Sequence, residues 1–294
     1  MKRFLSLAAL SLGLLIWGPS PAQTSPTASA REAPPSGNSV SRFALPNGLT
    51  VIVKPDRRAP TAVHMVWLRV GSMDEVDGTS GVAHVLEHMM FKGSRSVPPG
   101  EFSRRVAALG GQENAFTSLD YTGYYQQIPA HRLEDVMRLE ADRFAHNRYS
   151  DEEFAKELAV VKEERRMRTD DNPGAMLMEA MGRHAFAGPS GQPVIGWADD
   201  IPRIDAPVLK DWYQRFYAPN NAILAVTGHI SFEETIRLAE KWFGPIPARN
   251  ISPRQLPAEK PQTAVRRKTV ERKVPVDAIY MAFHMSNRMH PDYY

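Results

Sequence analysis

The segment HVLEH at residues 84–88 constrains this chain more than any other feature of its sequence. On a helix, His84 and His88 share one face, and Glu87 points the same way because it lies three residues after His84. Two imidazoles and a carboxylate at one buried spot predict a divalent metal site, since unpaired buried polar groups are costly. The flanking side chains that predict burial are Val82, Ala83, Val85, Leu86, Met89, Met90 and Phe91.

The order H-x-x-E-H is also a known zinc signature, the inverse of the commoner H-E-x-x-H. A surface helix with two solvated histidines is the alternative. With 9 histidines in 294 residues, the pattern arises by chance in about one or two of a hundred such chains. The apolar flanks favour zinc over this alternative.

Residues 1–22 are typical of a secretory signal peptide. Lys2 and Arg3 give a positive start, the apolar run over 4–17 is short for a membrane span, and 20–22 offer small residues for cleavage. An uncleaved membrane anchor is the alternative, but no cysteine follows the run for lipid attachment. We therefore expect a periplasmic or secreted protein of bacterial type, with no stable membrane anchor after cleavage.

The cysteine content and the net charge indicate how the exported protein is stabilised and which partners it binds. The chain has no cysteine, so an exported form must be held together by its core, and its length allows this. The formal charge is +3, and subtracting Lys2 and Arg3 leaves about +1 for the mature chain. The basic residues are scattered among acidic ones, so no nucleic-acid partner is predicted.

Composition and periodicity divide the chain into segments. Residues 23–39 are rich in Ser, Thr, Ala, Pro and Gly and predict a flexible linker. A folded unit over 40–247 carries the metal motif, 248–264 forms a proline-rich linker, and 265–294 begins a second unit. The last predicted strand, 276–285, has no partner strand after it, so we expect the sequence to be part of a longer protein.

Local patterns predict the elements of the first unit. Strands are predicted over 50–53, 61–70, 112–128 and 221–228. Helices are predicted up to about Met90, starting at a Ser80 or Thr79 cap, and over 100–109, 133–146, 151–168, 207–217 and 231–243. Asn172-Pro173 is predicted to end the helix over 151–168.

The helix over 151–168 presents two acids on one face. Glu157 and Glu164 are seven residues apart and therefore lie about 20° from each other around the helix axis. Glu163 is turned away by about 100°. The spacing favours Glu164 over Glu163 as the partner of Glu157, with a pair of solvated surface acids as the alternative.

Three blocks together resemble the pitrilysin/insulinase family of zinc metallopeptidases, especially its processing-peptidase branch. The blocks are HVLEHMMFKGS from residue 84, GGQENAFT from residue 110 with Asp120 and Tyr121, and VVKEERRMRTDDNP from residue 160. Glu164 also follows His88 at the family's usual spacing. The resemblance extends from about Ser41 to the end of the chain.

The resemblance implies roles for individual residues. His84, His88 and Glu164 resemble the zinc ligands, and Glu87 resembles the base that takes a proton from the zinc-bound water. Glu157 resembles the acid that supports the site from outside the ligand set.

The resemblance also implies how substrate binds. Asn114, Ala115 and Phe116 resemble the family's substrate-binding edge strand, to which an extended peptide adds by main-chain hydrogen bonds. The pattern of residues alone favours an ordinary sheet strand there.

The fold implied by the resemblance is α+β, with a mixed, mainly antiparallel sheet packed by helices, in two related halves that face each other across a chamber. Only the first half would be complete here. The Arg and Tyr that the family's second half contributes would lie beyond Tyr294, so we expect the isolated chain to need its missing C-terminal half or a partner subunit for full activity.

The sequence thus predicts an exported zinc endopeptidase that hydrolyses peptides or unfolded segments, with Glu87 as general base. One alternative is a non-catalytic member of the family, and another is a partner-dependent subunit of a pitrilysin-like complex. Non-catalytic relatives are expected to have lost ligands, whereas all three ligands and Glu87 are present here.

Overall fold

The computed structural model describes residues 39–256, 259–286 and 290–293. The predicted signal peptide (1–22) and nearly all of the predicted linker (23–39) lie outside these residues. The strands are β1 Ser41–Ala44, β2 Thr50–Pro55, β3 Thr61–Leu68, β4 Gln112–Thr117, β5 Thr122–Pro129 and β6 Ala222–Gly228. The α-helices are α1 Val82–Met89, α2 Glu101–Ala108, α3 Leu133–His146, α4 Asp151–Arg165, α5 Pro173–Ala185, α6 Ala206–Phe216 and α7 Phe232–Trp242. Short 3-10 helices cover Ser72–Asp74, Ala130–Arg132, Pro189–Gly191, Ile201–Arg203, Pro219–Asn221 and Pro291–Tyr293.

The strands form one six-stranded sheet in the order β1-β2-β6-β3-β5-β4. Only the pairing of β2 with β6 is parallel in this part of the chain, so the expected mixed, mainly antiparallel sheet is confirmed. Buried and half-exposed residues alternate along β3, which places Ala62, His64, Val66 and Leu68 on the helix-covered face. None of the described helices is long and apolar enough to cross a membrane.

The predicted long strand over 112–128 is wrong, because the structure folds it into the hairpin of β4 and β5. The amide of Ser118 donates to the carbonyl of Tyr121 at 2.8 Å and closes the turn. Phe116 lies opposite Gly123, where any larger side chain would collide with its ring. The alternation of residue types continues through the turn, so the pattern alone does not reveal the reversal.

The predicted strand over 276–285 is also wrong. Described residues from 247 to 286 contain neither helix nor strand. The apolar side chains of this segment are exposed, with Ile279 at 88% and Phe283 at 83%. A strand needs a hydrogen-bonding neighbour, and none pairs with this segment in the described part of the chain.

The predicted helix over 151–168 changes its winding near its end. After α4 the chain continues as a π-helical segment, Arg166–Asp170. Asn172 does not simply stop the helix, because its side chain caps α5 by accepting a hydrogen bond from the amide of Ala175 at 3.1 Å. Pro173 suits the first turn of α5, where no intrahelical amide partner is required.

The start of α1 differs from the predicted Ser80 or Thr79 cap. Gly81 occupies the cap position with φ of 93°. The Ser80 hydroxyl instead donates to Asp200 Oδ2 at 2.7 Å. The Glu75 carboxylate takes the capping role, because it accepts from the amides of Gly81 at 2.9 Å and Ala83 at 3.0 Å.

Replacing Gly81 by Ala is expected to destabilise the protein by more than the same change at Gly78. Both glycines have left-handed backbones, with φ of +93° and +91°, which cost an L-residue about 1–2 kcal/mol. A Cβ on Gly81 would also lie 2.8 Å from the carbonyl oxygen of Ile195, whereas a Cβ on Gly78 meets nothing within 4 Å. Denaturant unfolding of Gly81→Ala and Gly78→Ala measures the difference, and equal losses would contradict the steric argument.

Candidate metal centre

α1 presents His84 and His88 on the side that faces α4. Their ring centroids are 4.7 Å apart, with an interplanar angle of 76°. Val82, Ala83, Val85, Leu86 and Met89 are buried in the core and hold this helix against the sheet.

α4 brings Glu164 to the two imidazoles. Glu164 Oε2 lies 3.7 Å from His84 Nε2 and 3.4 Å from His88 Nε2. Both separations are long for a hydrogen bond, and Oε2 is buried without a hydrogen-bond partner among the described residues. One possible ligand atom from each of these three residues lies within 4.8 Å of the other two.

The separations suit a shared metal ion. Tetrahedral zinc with bonds of about 2.0–2.1 Å places neighbouring ligand atoms about 3.3 Å apart. The two distances from Glu164 Oε2, 3.4 and 3.7 Å, are close to that spacing. The donor set of two neutral nitrogens and one carboxylate oxygen is also one that zinc prefers, so the residues fit the ion that the sequence predicts.

His84 has the protonation state that a metal ligand needs. Burial lowers the pKa of the His84 imidazole to about 3, and repulsion from His88 in its protonated form and from the positive charge of Arg168 acts in the same direction. His84 is therefore neutral at physiological pH, and its nitrogen lone pair is available.

Glu157 supports His88 from the side away from Glu164. Its Oε1 lies 2.8 Å from His88 Nδ1, and its Oε2 lies 2.5 Å from Lys92 Nζ. A neutral His88 that donates from Nδ1 to Glu157 has the lone pair of Nε2 directed away from that bond, on the side of Glu164. Lys92 balances the charge of the Glu157 carboxylate.

Arg168 contacts the other oxygen of Glu164, with Nη1 2.5 Å from Oε1. Glu164 Oε1 is thus occupied by a guanidinium, and Oε2 alone faces the imidazoles. Arg168 lies on the π-helical segment, whose wider turn follows directly after α4. π-helical segments occur frequently at functional sites.

Glu87 lies beside the three candidate ligands but outside their set. The hydroxyl of Thr117, at the end of β4, donates a hydrogen bond to Glu87 Oε2. Burial raises the pKa of the Glu87 carboxyl above its usual value, while the hydrogen bond from Thr117 acts in the opposite direction. A carboxyl with a raised pKa is better matched to proton transfer near neutral pH.

Arg165 links the helix of Glu164 to the start of α1. Its guanidinium donates to the carbonyl of Gly196 at 2.6 Å and to Glu179 at 2.8 and 3.0 Å. Gly196 packs directly against Gly81, the residue that precedes α1. The relative position of α1 and α4 therefore depends on the hydrogen bond from Arg165 to Gly196 and on the packing of Gly196 against Gly81.

The predicted substrate-binding residues Asn114, Ala115 and Phe116 lie on β4, the edge strand of the sheet. β4 pairs only with β5 in the described part of the chain, so its other side can accept a further strand. The ring of Phe116 packs edge-on against Trp67, with centroids 5.0 Å apart, on the face away from α1.

Sequence reasoning missed four residues that contact either the acids of the site or the start of α1. Lys92 and Arg168 follow His88 and Glu164 by four residues, so helical spacing could have found both. Thr117 and Glu75 reach α1 from elsewhere in the fold, and no sequence spacing points to them.

Comparison with known sequences is consistent with this geometry. Residues 50–196 match the sequence model of the family described as Insulinase (Peptidase family M16), and residues 203–294 match the domain described as Peptidase M16 inactive domain. The chain is 34% identical over 215 residues to the zinc protease PqqE of Helicobacter pylori, a match that covers 72% of this chain and 48% of that protein.

Solved structures give a similar result. A protease from Helicobacter pylori superposes with a TM-score of 0.73 and 32% identity, over 76% of this chain and 54% of that one. The first half of the periplasmic protease PqqL from Escherichia coli superposes with a TM-score of 0.68 and 26% identity, over 74% of this chain and 48% of that one. The chain spans about half the length of the curated relatives it matches.

Proposed function

Because the chain belongs to the insulinase (peptidase M16) family, we propose that it is an exported, zinc-dependent endopeptidase that hydrolyses peptides or unfolded segments. One observation carries the proposal: His84, His88 and Glu164 converge from two helices beside Glu87, an acid that is not among the candidate ligands. That arrangement provides both a metal site and a separate base, which peptide hydrolysis requires.

In this proposal His84, His88 and Glu164 would hold the zinc ion. When bound, zinc lowers the pKa of a water molecule and polarises the scissile carbonyl. Glu87 takes the proton of the attacking water and returns it to the leaving amine. Glu157 holds the His88 ring through Nδ1, so that Nε2 keeps its direction.

The proposed substrate path follows β4. An extended peptide that pairs with the open edge of this strand would pass Asn114 and Ala115 and reach the end of the strand near Glu87. Main-chain pairing depends little on side chains. This supports a preference for unfolded segments of varied sequence.

Export is supported by two separate observations. Residues 1–22 have the pattern of a signal peptide, and PqqL, a structural relative, is described as a periplasmic protease. These observations support the proposal that the protein acts in the periplasm or outside the cell.

The proposal is tested by metal analysis together with cleavage of an unstructured peptide. We expect about one zinc ion per chain, with cleavage lost on chelation and restored by added zinc. Cleavage that persists in zinc-free protein would exclude the proposed chemistry.

A partner-dependent subunit is the second candidate, favoured by the match of residues 203–294 to the domain described as Peptidase M16 inactive domain. Bound zinc without cleavage would favour this candidate. Cleavage that appears only when a complementary second half is added would establish it.

Replacing Glu157 by Gln is expected to weaken zinc binding by about tenfold to a hundredfold, because His88 loses its anionic partner. Zinc titration with a competing chelator measures the change. Glu152→Gln is the matched control, since its side chain is 76% exposed and pairs with Lys156 on the same helix. Equal zinc affinity in the two variants would remove Glu157 from the site.

A further inference from the structure

The carboxylate of Glu87 has a single hydrogen-bond partner among the described residues, and it comes from another element of the fold. The Thr117 hydroxyl, on the last residue of β4, donates to Glu87 Oε2. From this contact we propose that Thr117 is a positioning residue that holds the Glu87 carboxylate in the orientation in which it accepts a proton. The inference rests on the proposed function and adds a residue to the machinery of the same site.

Glu87 needs such a partner more than the other two acids of the site. Glu157 is paired with Lys92 and Glu164 with Arg168, whereas no cation pairs with Glu87 in the described part of the chain. A glutamate has several accessible rotamers, and an acid without a partner spreads over them. The Thr117 contact therefore selects the orientation of the Glu87 carboxylate.

The contact is compatible with proton transfer. The hydroxyl uses one lone pair of Oε2, so Oε1 keeps both of its lone pairs available to receive a proton. Oε2 accepts the hydrogen bond whether or not Oε1 is protonated, so Thr117 can stay in place through the reaction. Thr117 itself exchanges no proton with the substrate.

Thr117 is held by a paired strand rather than a loop. It lies opposite Thr122 in the hairpin, and the Thr122 hydroxyl donates to the carbonyl of Val70 at 2.9 Å. The neighbouring Phe116 ring packs across Gly123 and against Trp67. Groups carried by strands hold functional geometry more accurately than groups on loops.

The position of Thr117 also links the base to the proposed peptide path. Asn114, Ala115 and Thr117 belong to the same short strand. A peptide paired with β4 and the carboxylate held by Thr117 would therefore both be positioned by this strand. An error in the orientation of Glu87 should therefore lower the rate of the chemical step more than it changes peptide binding.

The test compares Thr117→Val, which keeps the shape and removes the hydroxyl, with Thr117→Ser, which keeps the hydroxyl. In the zinc-loaded protein we expect the Val variant to lose about tenfold to a hundredfold in kcat with little change in KM. The Ser variant should retain most of the rate. Thr227→Val, which removes a hydroxyl from β6 rather than from the hairpin, is the control and should leave kcat near the wild-type value.

A second measurement uses metal-free protein and does not depend on activity. Crystal structures of the variants, or carboxyl carbon NMR signals assigned to Glu87, report whether its carboxylate keeps one orientation. We expect one orientation in wild type and Thr117→Ser, and several in Thr117→Val.

A Glu87 carboxylate that stays fixed in Thr117→Val, or a kcat of Thr117→Val within about twofold of wild type, would overturn the proposal. Absence of cleavage in every protein, wild type included, would count against the proposed function, and the orientation of Glu87 would still decide the role of Thr117.

Discussion

Replacing Glu87 by Gln is expected to lower the rate of peptide cleavage by about a hundredfold to ten-thousandfold while leaving bound zinc unchanged. Gln has nearly the same shape, and its side-chain oxygen can still accept the hydrogen bond from Thr117, but it cannot take up a proton at neutral pH. Glu87 is not among the three candidate ligands, so the change should separate catalysis from metal binding.

The measurement pairs zinc content with kcat and KM for an unstructured peptide. Loss of zinc in Glu87→Gln would mean that Glu87 belongs to the ligand set, and a wild-type rate would remove it from the mechanism. Because base and metal act as a unit, a second change at His84 should add little to the loss of rate already caused by Glu87→Gln.

Replacing Glu164 by Gln is expected to weaken zinc binding by at least about a hundredfold, since the change removes a charged ligand rather than one of its supports. Glu164 Oε2 is buried without a partner among the described residues and faces both imidazoles. Zinc at a thousandfold excess over its Kd stabilises a folded protein by about 4 kcal/mol. Thermal unfolding should therefore show a zinc-dependent rise in Tm for the wild type that the variant loses at the same zinc concentration.

Glu163→Gln is the matched control for Glu164→Gln. Glu163 is the preceding residue on α4, its side chain is 52% exposed, and it pairs with Arg166 at 2.6 Å. Its replacement should leave zinc affinity unchanged. Undiminished zinc in Glu164→Gln, or equal losses in both variants, would reject Glu164 as a ligand.

Helical spacing accounts for much of what the sequence predicted about the site. His84, Glu87 and His88 follow from one helix with apolar flanks, and the choice of Glu164 over Glu163 follows from its seven-residue separation from Glu157. The structure places Glu164 Oε2 3.4 Å from His88 Nε2, while Glu163 pairs with Arg166 at the surface.

The fold was predictable where apolar residues recur along an element with the spacing of a helix or of a strand. The bounds of α3 and the start of β2 follow this rule, and the structure confirms both elements, although β2 extends to Pro55 rather than ending at Val53. The prediction failed at the turn between β4 and β5, where the alternation continues without interruption. It also failed over 276–285, where β-forming residues find no pairing strand among the described residues.

The sequence by itself determined which side chains share a face of α1 and of α4, because a helix of known pitch fixes the direction of every residue along it. Only the tertiary structure decided how far these two faces are from each other, and which groups from β4 and from the segment before α1 reach Glu87 and the helix start. Those contacts depend on how separate elements pack across the core. The spacing of residues along a single element carries no information about that distance.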